Sequence, residues 1–212
     1  MKQLHDLMID VLCNGQPRDT RSGKVLSVFR RDFSHDMRTG MPFPMTKKLA
    51  YRALMGELLW FLNGETDLKS LIKRSNLSLG DWTIWTNDYN RWKGLNDGSE
   101  ESLGLLYGHQ WRNYGGSHSV EGIDQIANLV DSMKDSPMSR YLLVEAYNPY
   151  DVANNLMALP PCHTGFQVYV DSETKEFDLD WTQRSVDVFL GLPFNIASYA
   201  MLMRILAELT GL

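Results

Sequence analysis

The sequence predicts an α+β fold in a single domain. Apolar residues recur at helical spacing near both ends of the chain and between them, and three runs of strand length cluster between positions 141 and 182. No linker, internal repeat or low-complexity tract divides the 212 residues, and with 43% of them hydrophobic there is enough apolar side chain for one sizeable core.

Leu4, Leu7, Met8, Val11 and Leu12 mark an opening helix, and Asn14-Gly15 ends it with residues that tolerate a left-handed backbone. Val25 to Phe29 reads as a strand and Gly40-Met41-Pro42 as a turn. A helix follows from Lys48 to Leu62, stopped by Asn63-Gly64. Between Gly80 and Gly116 the sequence is rich in Gly, Asn, Asp and aromatic residues without sustained period, so a long irregular or weakly helical region is expected, of the kind that borders sites. Ile123, Ile126, Ala127, Val130 and Met133 give another helix. Strands are expected at Tyr141 to Tyr147, Gly165 to Val170 and Phe177 to Thr182, with the polar stretch Asp171 to Glu176 as a hairpin connection. Ile196 to Leu209 is apolar enough to be a buried helix.

Composition excludes several classes of function. A formal charge of -5, with no basic block or stripe, argues against a polymeric nucleic acid as substrate. The start, Met1-Lys2-Gln3-Leu4-His5-Asp6, runs into an amphipathic pattern with acidic residues rather than a secretory signal. The most apolar run, Leu54 to Leu62, is broken by Gly56 and Glu57 and falls short of the roughly 20 residues that span a bilayer. Neither export nor a membrane is therefore expected. Cys13 and Cys162, the two cysteines, offer no disulfide framework and no paired-cysteine zinc signature, which suits a reducing, cytoplasmic setting and no metal.

Chemistry is concentrated in a few places. Cys162 follows Leu159-Pro160-Pro161 and precedes His163, so two rigid prolines present a thiol just before a strand. A thiolate is a strong nucleophile, and His163 or an arginine could supply the positive charge or base that favours it; the alternative is a small buried hydrophobe beside a core histidine. Gln183-Arg184-Ser185-Val186-Asp187 sets a guanidinium fork beside a hydroxyl, suited to phosphate oxygens, or else a surface ion pair of Arg184 with Asp187. Asn195, after Gly191-Leu192-Pro193-Phe194, is either an N-cap or a carboxamide able to pair with the O4 and N3 edge of uracil. Glu57, on an apolar helix face with Leu54 and Phe61, is either desolvated and suited to proton transfer or a salt-bridged surface carboxylate. Trp82, Trp85, Tyr89 and Trp92 either stack on a flat heterocycle or form satellite core.

Taken together, these residues resemble thymidylate synthases from Met1 to Leu212. The most specific stretch is Asp187-Val188-Phe189-Leu190-Gly191-Leu192-Pro193-Phe194-Asn195-Ile196-Ala197-Ser198-Tyr199-Ala200, joined to Gln183-Arg184-Ser185 and preceded by Leu159-Pro160-Pro161-Cys162-His163. Glu57-Leu58-Leu59-Trp60-Phe61-Leu62, Tyr107-Gly108-His109-Gln110-Trp111-Arg112 and Arg21 support it. The resemblance implies an α+β domain whose mixed β-sheet is covered by helices. It also implies transfer of a one-carbon unit from 5,10-methylenetetrahydrofolate to carbon 5 of dUMP, leaving dTMP and dihydrofolate, after attack by Cys162 on carbon 6.

Position by position, it implies that Glu57 organises water and proton transfers beside the folate. Arg21, Arg184 and Ser185 would hold the phosphate, and Arg140 would reach the phosphate site of the other subunit of a homodimer. Gln183 and His163 would support the nucleotide, Asn195 would read the uracil edge, and Asp187 would contact the pterin at the junction of nucleotide and folate. Trp85 and Tyr107 would border cofactor and nucleophile. The sequence departs from the family in ending at Leu212, in Tyr141 where a second arginine is usual, in Thr86 and Asn87 after Trp85, in Ala50 where many members have histidine, and in a short Arg21-Ser22-Gly23-Lys24 loop. Two other readings stand beside methylation: a sister enzyme of the same fold that releases a 5-hydroxymethyl nucleotide, and a catalytically incomplete chain that binds nucleotide.

Overall fold

The structure is a computed structural model and describes residues 2–20, 23–45, 47–78, 80–95, 102–117 and 120–212. The described elements are α1 (Lys2–Asn14), β1 (Gln16–Thr20), β2 (Gly23–Ser27), a 3-10 turn (Met37–Thr39), α2 (Tyr51–Leu62), α3 (Leu68–Arg74), α4 (Thr86–Leu95), α5 (Tyr107–Arg112), α6 (Gln125–Asp135), β3 (Leu143–Glu145), α7 (Pro149–Ala153), β4 (His163–Asp171), β5 (Glu176–Gln183) and α8 (Leu192–Thr210). By their contacts the residues form two compact units, Met1–Leu49 with Val186–Met201, and Ala50–Ser185 with Leu202–Leu212. None of the described helices is long and apolar enough to cross a membrane.

In the first unit, α1 leads into a hairpin in which β1 and β2 run antiparallel from Gln16↔Ser27 to Thr20↔Gly23. Sequence reasoning missed β1. Its residues Gln16-Pro17-Arg18-Asp19-Thr20 are all exposed, so no apolar alternation marks them. Arg31 ties the following segment back to α1 through an Nε–Asp10 Oδ2 bond of 2.6 Å.

The second unit holds a three-stranded sheet in the order β3-β4-β5, antiparallel throughout. The α+β class stands. The described strands make two small antiparallel sheets in place of one mixed sheet, because only two residues separate β1 from β2 and four separate β4 from β5, and strands joined so closely in sequence can only pair antiparallel. Polar Asp171 to Glu176 is the hairpin connection expected: the Asp171 carboxylate accepts the N–H groups of Glu173 and Thr174, and Lys175 takes φ 57°. Phe166, Val168 and Val170 alternate with exposed Gln167 and Tyr169 along β4, so one face of the sheet enters the core and the other faces outward.

Against that core face pack aromatic residues in a continuous chain. Phe61 stacks at 5.5 Å from Trp60, 4.8 Å from Tyr107 and 5.7 Å from Trp111, which in turn meets Phe166 at 5.6 Å. The helix expected from Lys48 begins at Tyr51, and α3 and α7 were not expected. Both are short and are started by side-chain caps, Asp67 accepting from the Ser70 N–H and Asn148 from the Tyr150 N–H, which periodicity over so few residues does not reveal. The described residues between Gly80 and Gly116 are irregular apart from two helices, α4 and α5, as composition suggested.

Gly56 explains why an apolar helix tolerates its least favourable residue. A Cβ built on it would lie 2.7 Å from Ser75 Cα, so α2 and the end of α3 touch backbone to backbone. Gly56→Ala, ordinarily helix-stabilising, is expected to lower stability by about 1–3 kcal/mol through overpacking. Urea unfolding followed by circular dichroism would show it; unchanged stability would mean the two helices separate without penalty.

Candidate active site

The site is assembled in the second unit around Cys162. Two prolines precede the cysteine and carry no N–H, so this stretch cannot donate to a ladder and is held instead through its carbonyls. Arg184 meets them. Its Nε donates to Pro161 O and its Nη2 to Pro160 O, each at 2.8 Å, and Nη2 lies 3.9 Å from Cys162 Sγ. Hairpin register creates this contact: His163 pairs with Gln183, and the Arg184 N–H donates to Cys162 O at 2.9 Å. A register shift between His163 and Gly165 makes a bulge at the start of β4, a feature that re-aims side chains beside sites.

Tyr107, at the start of α5, holds the same stretch from inside the core. Its oxygen accepts the N–H groups of Cys162 at 2.6 Å and His163 at 3.2 Å. Burial, and then negative charge at Cys162, push the Tyr107 phenol well above its ordinary value, so it stays protonated and keeps its O–H for a further acceptor. The His163 ring lies 5.2 Å from the Tyr107 ring, and burial lowers its imidazole to about 4. His163 is therefore neutral at neutral pH. Of the two cations considered for the thiol, the geometry favours Arg184.

Glu57 reaches the same aromatic wall from α2. Trp85 Nε1 donates to Glu57 Oε1 at 2.7 Å, and the Trp85 ring packs 5.9 Å from Trp60 and 6.3 Å from Tyr107. Burial raises the Glu57 carboxyl to about 7, with the Trp85 hydrogen bond acting in the opposite direction. The desolvated reading of Glu57 holds, and a carboxyl poised near neutrality can give or take a proton. The four aromatics grouped by sequence do not form one platform. Trp85 and Trp92 are buried while Trp82 is 62% exposed, because Trp85 and Trp92 turn into the core and Trp82 precedes α4 on the surface.

Across the whole length of the chain, the family model described as Thymidylate synthase matches residues 2–212. This chain belongs to the thymidylate synthase family. It is 46% identical over 215 residues to a probable thymidylate synthase of Escherichia phage T5, covering all of this chain and 74% of that protein. It is 44% identical over 216 residues to the thymidylate synthase of Enterobacteria phage T4, covering all of this chain and 71% of that one. The crystal structure of thymidylate synthase from T4 phage superposes with a TM-score of 0.87 at 40% identity, over all of this chain and 71% of that one.

The site residues expected from the sequence fall as follows. Arg184, Gln183, His163, Cys162, Tyr107, Trp85 and Glu57 come together in the second unit, and Ser185 follows exposed at its edge. Asp187 and Asn195 belong to the first unit. The Asp187 carboxylate accepts the N–H groups of Phe189 and Leu190, at 2.9 and 2.7 Å, and shapes the turn before α8. Asn195 is not an N-cap: it lies one turn inside α8, half-buried, with its N–H bonded to Gly191 O at 3.1 Å. Arg140 is exposed, and Arg21 lies outside the described residues. Among the described residues there is no group of three His, Cys, Asp or Glu side chains able to hold a metal. Sequence reasoning passed over Arg91, whose Nη2 donates to Ala158 O at 2.8 Å, because an arginine in an aperiodic stretch carries no motif.

Two outcomes follow for stability. The folded Glu57 pKa lies above its unfolded value, so its contribution is intact below about pH 4.5 and is lost as pH rises through about 7. Glu57→Gln is thus expected to match the parent protein at pH 4.5 and exceed it above pH 7, by at most about 3 kcal/mol, in urea unfolding across that range. Equal stabilities at pH 8 would refute the desolvation. Tyr107→Phe leaves two part-buried N–H groups without their acceptor and is expected to cost about 1–3 kcal/mol in the same assay.

Proposed function

We propose that this chain transfers a one-carbon unit from 5,10-methylenetetrahydrofolate to carbon 5 of dUMP, giving dTMP and dihydrofolate. The observation that carries the reading is the Arg184 guanidinium 3.9 Å from Cys162 Sγ, on a stretch whose backbone is clamped on both sides. Arg184 also sets a positive charge beside the sulfur that is to attack. The thiolate attacks carbon 6, the S–C bond forms, and the ring electrons move to carbon 5 as an enolate stabilised at O4. Carbon 5 then bonds to the folate methylene. Its proton leaves, the folate is expelled with its electron pair, and hydride returned from the folate completes the methyl group as the thiolate departs.

Glu57, with its carboxyl near 7, is suited to moving protons at the uracil carbonyl through water, and the aromatic wall of Trp85 and Tyr107 is suited to limiting water beside the folate. Arg184 and Ser185, with Arg21, would hold the phosphate, and Gln183 and His163 the rest of the nucleotide. A neutral His163 can hydrogen-bond without competing for that phosphate. Asn195 would pair with O4 and N3 of uracil, and Asp187 would meet the pterin. Exposed Arg140 would complete the phosphate site of a second copy in a homodimer, in a cytoplasm reducing enough to keep Cys162 a thiol.

With dUMP tritiated at carbon 5 and methylenetetrahydrofolate, the chain is expected to release tritium to water and form dihydrofolate, and Cys162→Ala to do neither. Release without dihydrofolate, with a product heavier by one oxygen, would replace methylation by hydroxymethylation. Tritium release retained by Cys162→Ala would exclude that residue as the nucleophile.

A further inference from the structure

The stretch leading into Cys162 is also held from beneath. The Ala158 N–H donates to Leu103 O at 2.8 Å and the Leu105 N–H to Leu156 O at 2.9 Å, so residues 156–158 lie antiparallel against 103–105. Gly104, at φ +79°, comes so near that a Cβ on it would sit 2.8 Å from Met157 Cα. The Leu103 N–H that would return the bond to the Ala158 carbonyl donates instead to Thr66 O at 2.8 Å, and Ala158 is only 7% exposed. Arg91 of α4 supplies the donor: its Nη2 donates to Ala158 O at 2.8 Å. Asp88, one turn earlier, holds that same nitrogen at 2.8 Å from Oδ1, and its side chain is 17% exposed.

Two guanidinium groups from different elements therefore grip one row of carbonyls, Arg91 at Ala158 and Arg184 at Pro160 and Pro161. Between Ala158 and Cys162 stand only Leu159 and two prolines whose φ is fixed near -65°, which leaves little free rotation to take up a shift at Ala158 before it reaches Cys162. We propose that Arg91, steadied by Asp88, is a positioning residue that sets where Cys162 stands relative to Arg184 and the bound nucleotide. The proposal rests on Cys162 being the nucleophile. A displacement of about 1 Å at a reacting atom is enough to slow chemistry severely while leaving binding intact.

The test is the rate of covalent complex formation between the full chain and 5-fluoro-dUMP with methylenetetrahydrofolate, over a range of nucleotide concentrations. Arg91→Ala is expected to lower the maximal rate about tenfold and leave the half-saturating nucleotide concentration within about twofold, with part of the loss recovered by Arg91→Lys. Asp88→Asn is expected to give the same split at smaller size, and it serves should Arg91→Ala fail to fold. A folded Arg91→Ala or Asp88→Asn protein with the parent maximal rate, or a loss confined to nucleotide affinity, would overturn the proposal. If the unaltered chain forms no covalent complex, the assignment of Cys162 fails first and the proposal falls with it.

Discussion

The hydrogen-bond debt created by two adjacent prolines organises the whole of the described site. Pro160 and Pro161 make the approach to Cys162 stiff and donate nothing to a neighbouring strand, so the stretch is held through its carbonyls and through the N–H groups that follow. The molecule answers with Arg184 from β5 and Arg91 from α4, while the Tyr107 oxygen takes the N–H groups of Cys162 and His163. Each of those partners is itself fixed: Arg184 by hairpin register, Tyr107 by its rings, Arg91 by Asp88. The thiol consequently inherits its position from three elements at once.

Electrostatics follow from the same packing. The aromatic chain that stabilises the second unit also removes water from Glu57 and His163, and desolvation moves the two groups in opposite directions, the acid up and the base down. Both end near or at their neutral forms close to neutral pH. Arg184, exposed and permanently charged, is left as the positive group beside the sulfur. Structural core and chemical tuning are thus one set of contacts, which is why residues such as Tyr107 read as packing in one light and as machinery in another.

Membership of the thymidylate synthase family adds a constraint that packing alone does not supply. The match extends through residues 2–212, and a crystal structure from T4 phage shares the fold at a TM-score of 0.87. Tyr141, Thr86, Asn87 and Ala50, where the sequence reading expects departures from the family, make none of the hydrogen bonds that hold Cys162.

Sequence by itself determined the α+β class, the opening and closing helices, the β4–β5 hairpin and the cysteine behind its two prolines. Periodicity, turn chemistry and residue type are local properties, and these features are local consequences of them. Tertiary structure alone decided that Arg184 rather than His163 lies charged beside the sulfur, that Trp82 stands apart from Trp85, that Asn195 sits inside its helix, and that Arg91 meets Ala158 across 67 residues. Burial and the pairing of carbonyls with distant donors depend on which segments meet in space. No pattern along the chain encodes that directly, because any arginine is equally able to satisfy a carbonyl until packing brings one to it.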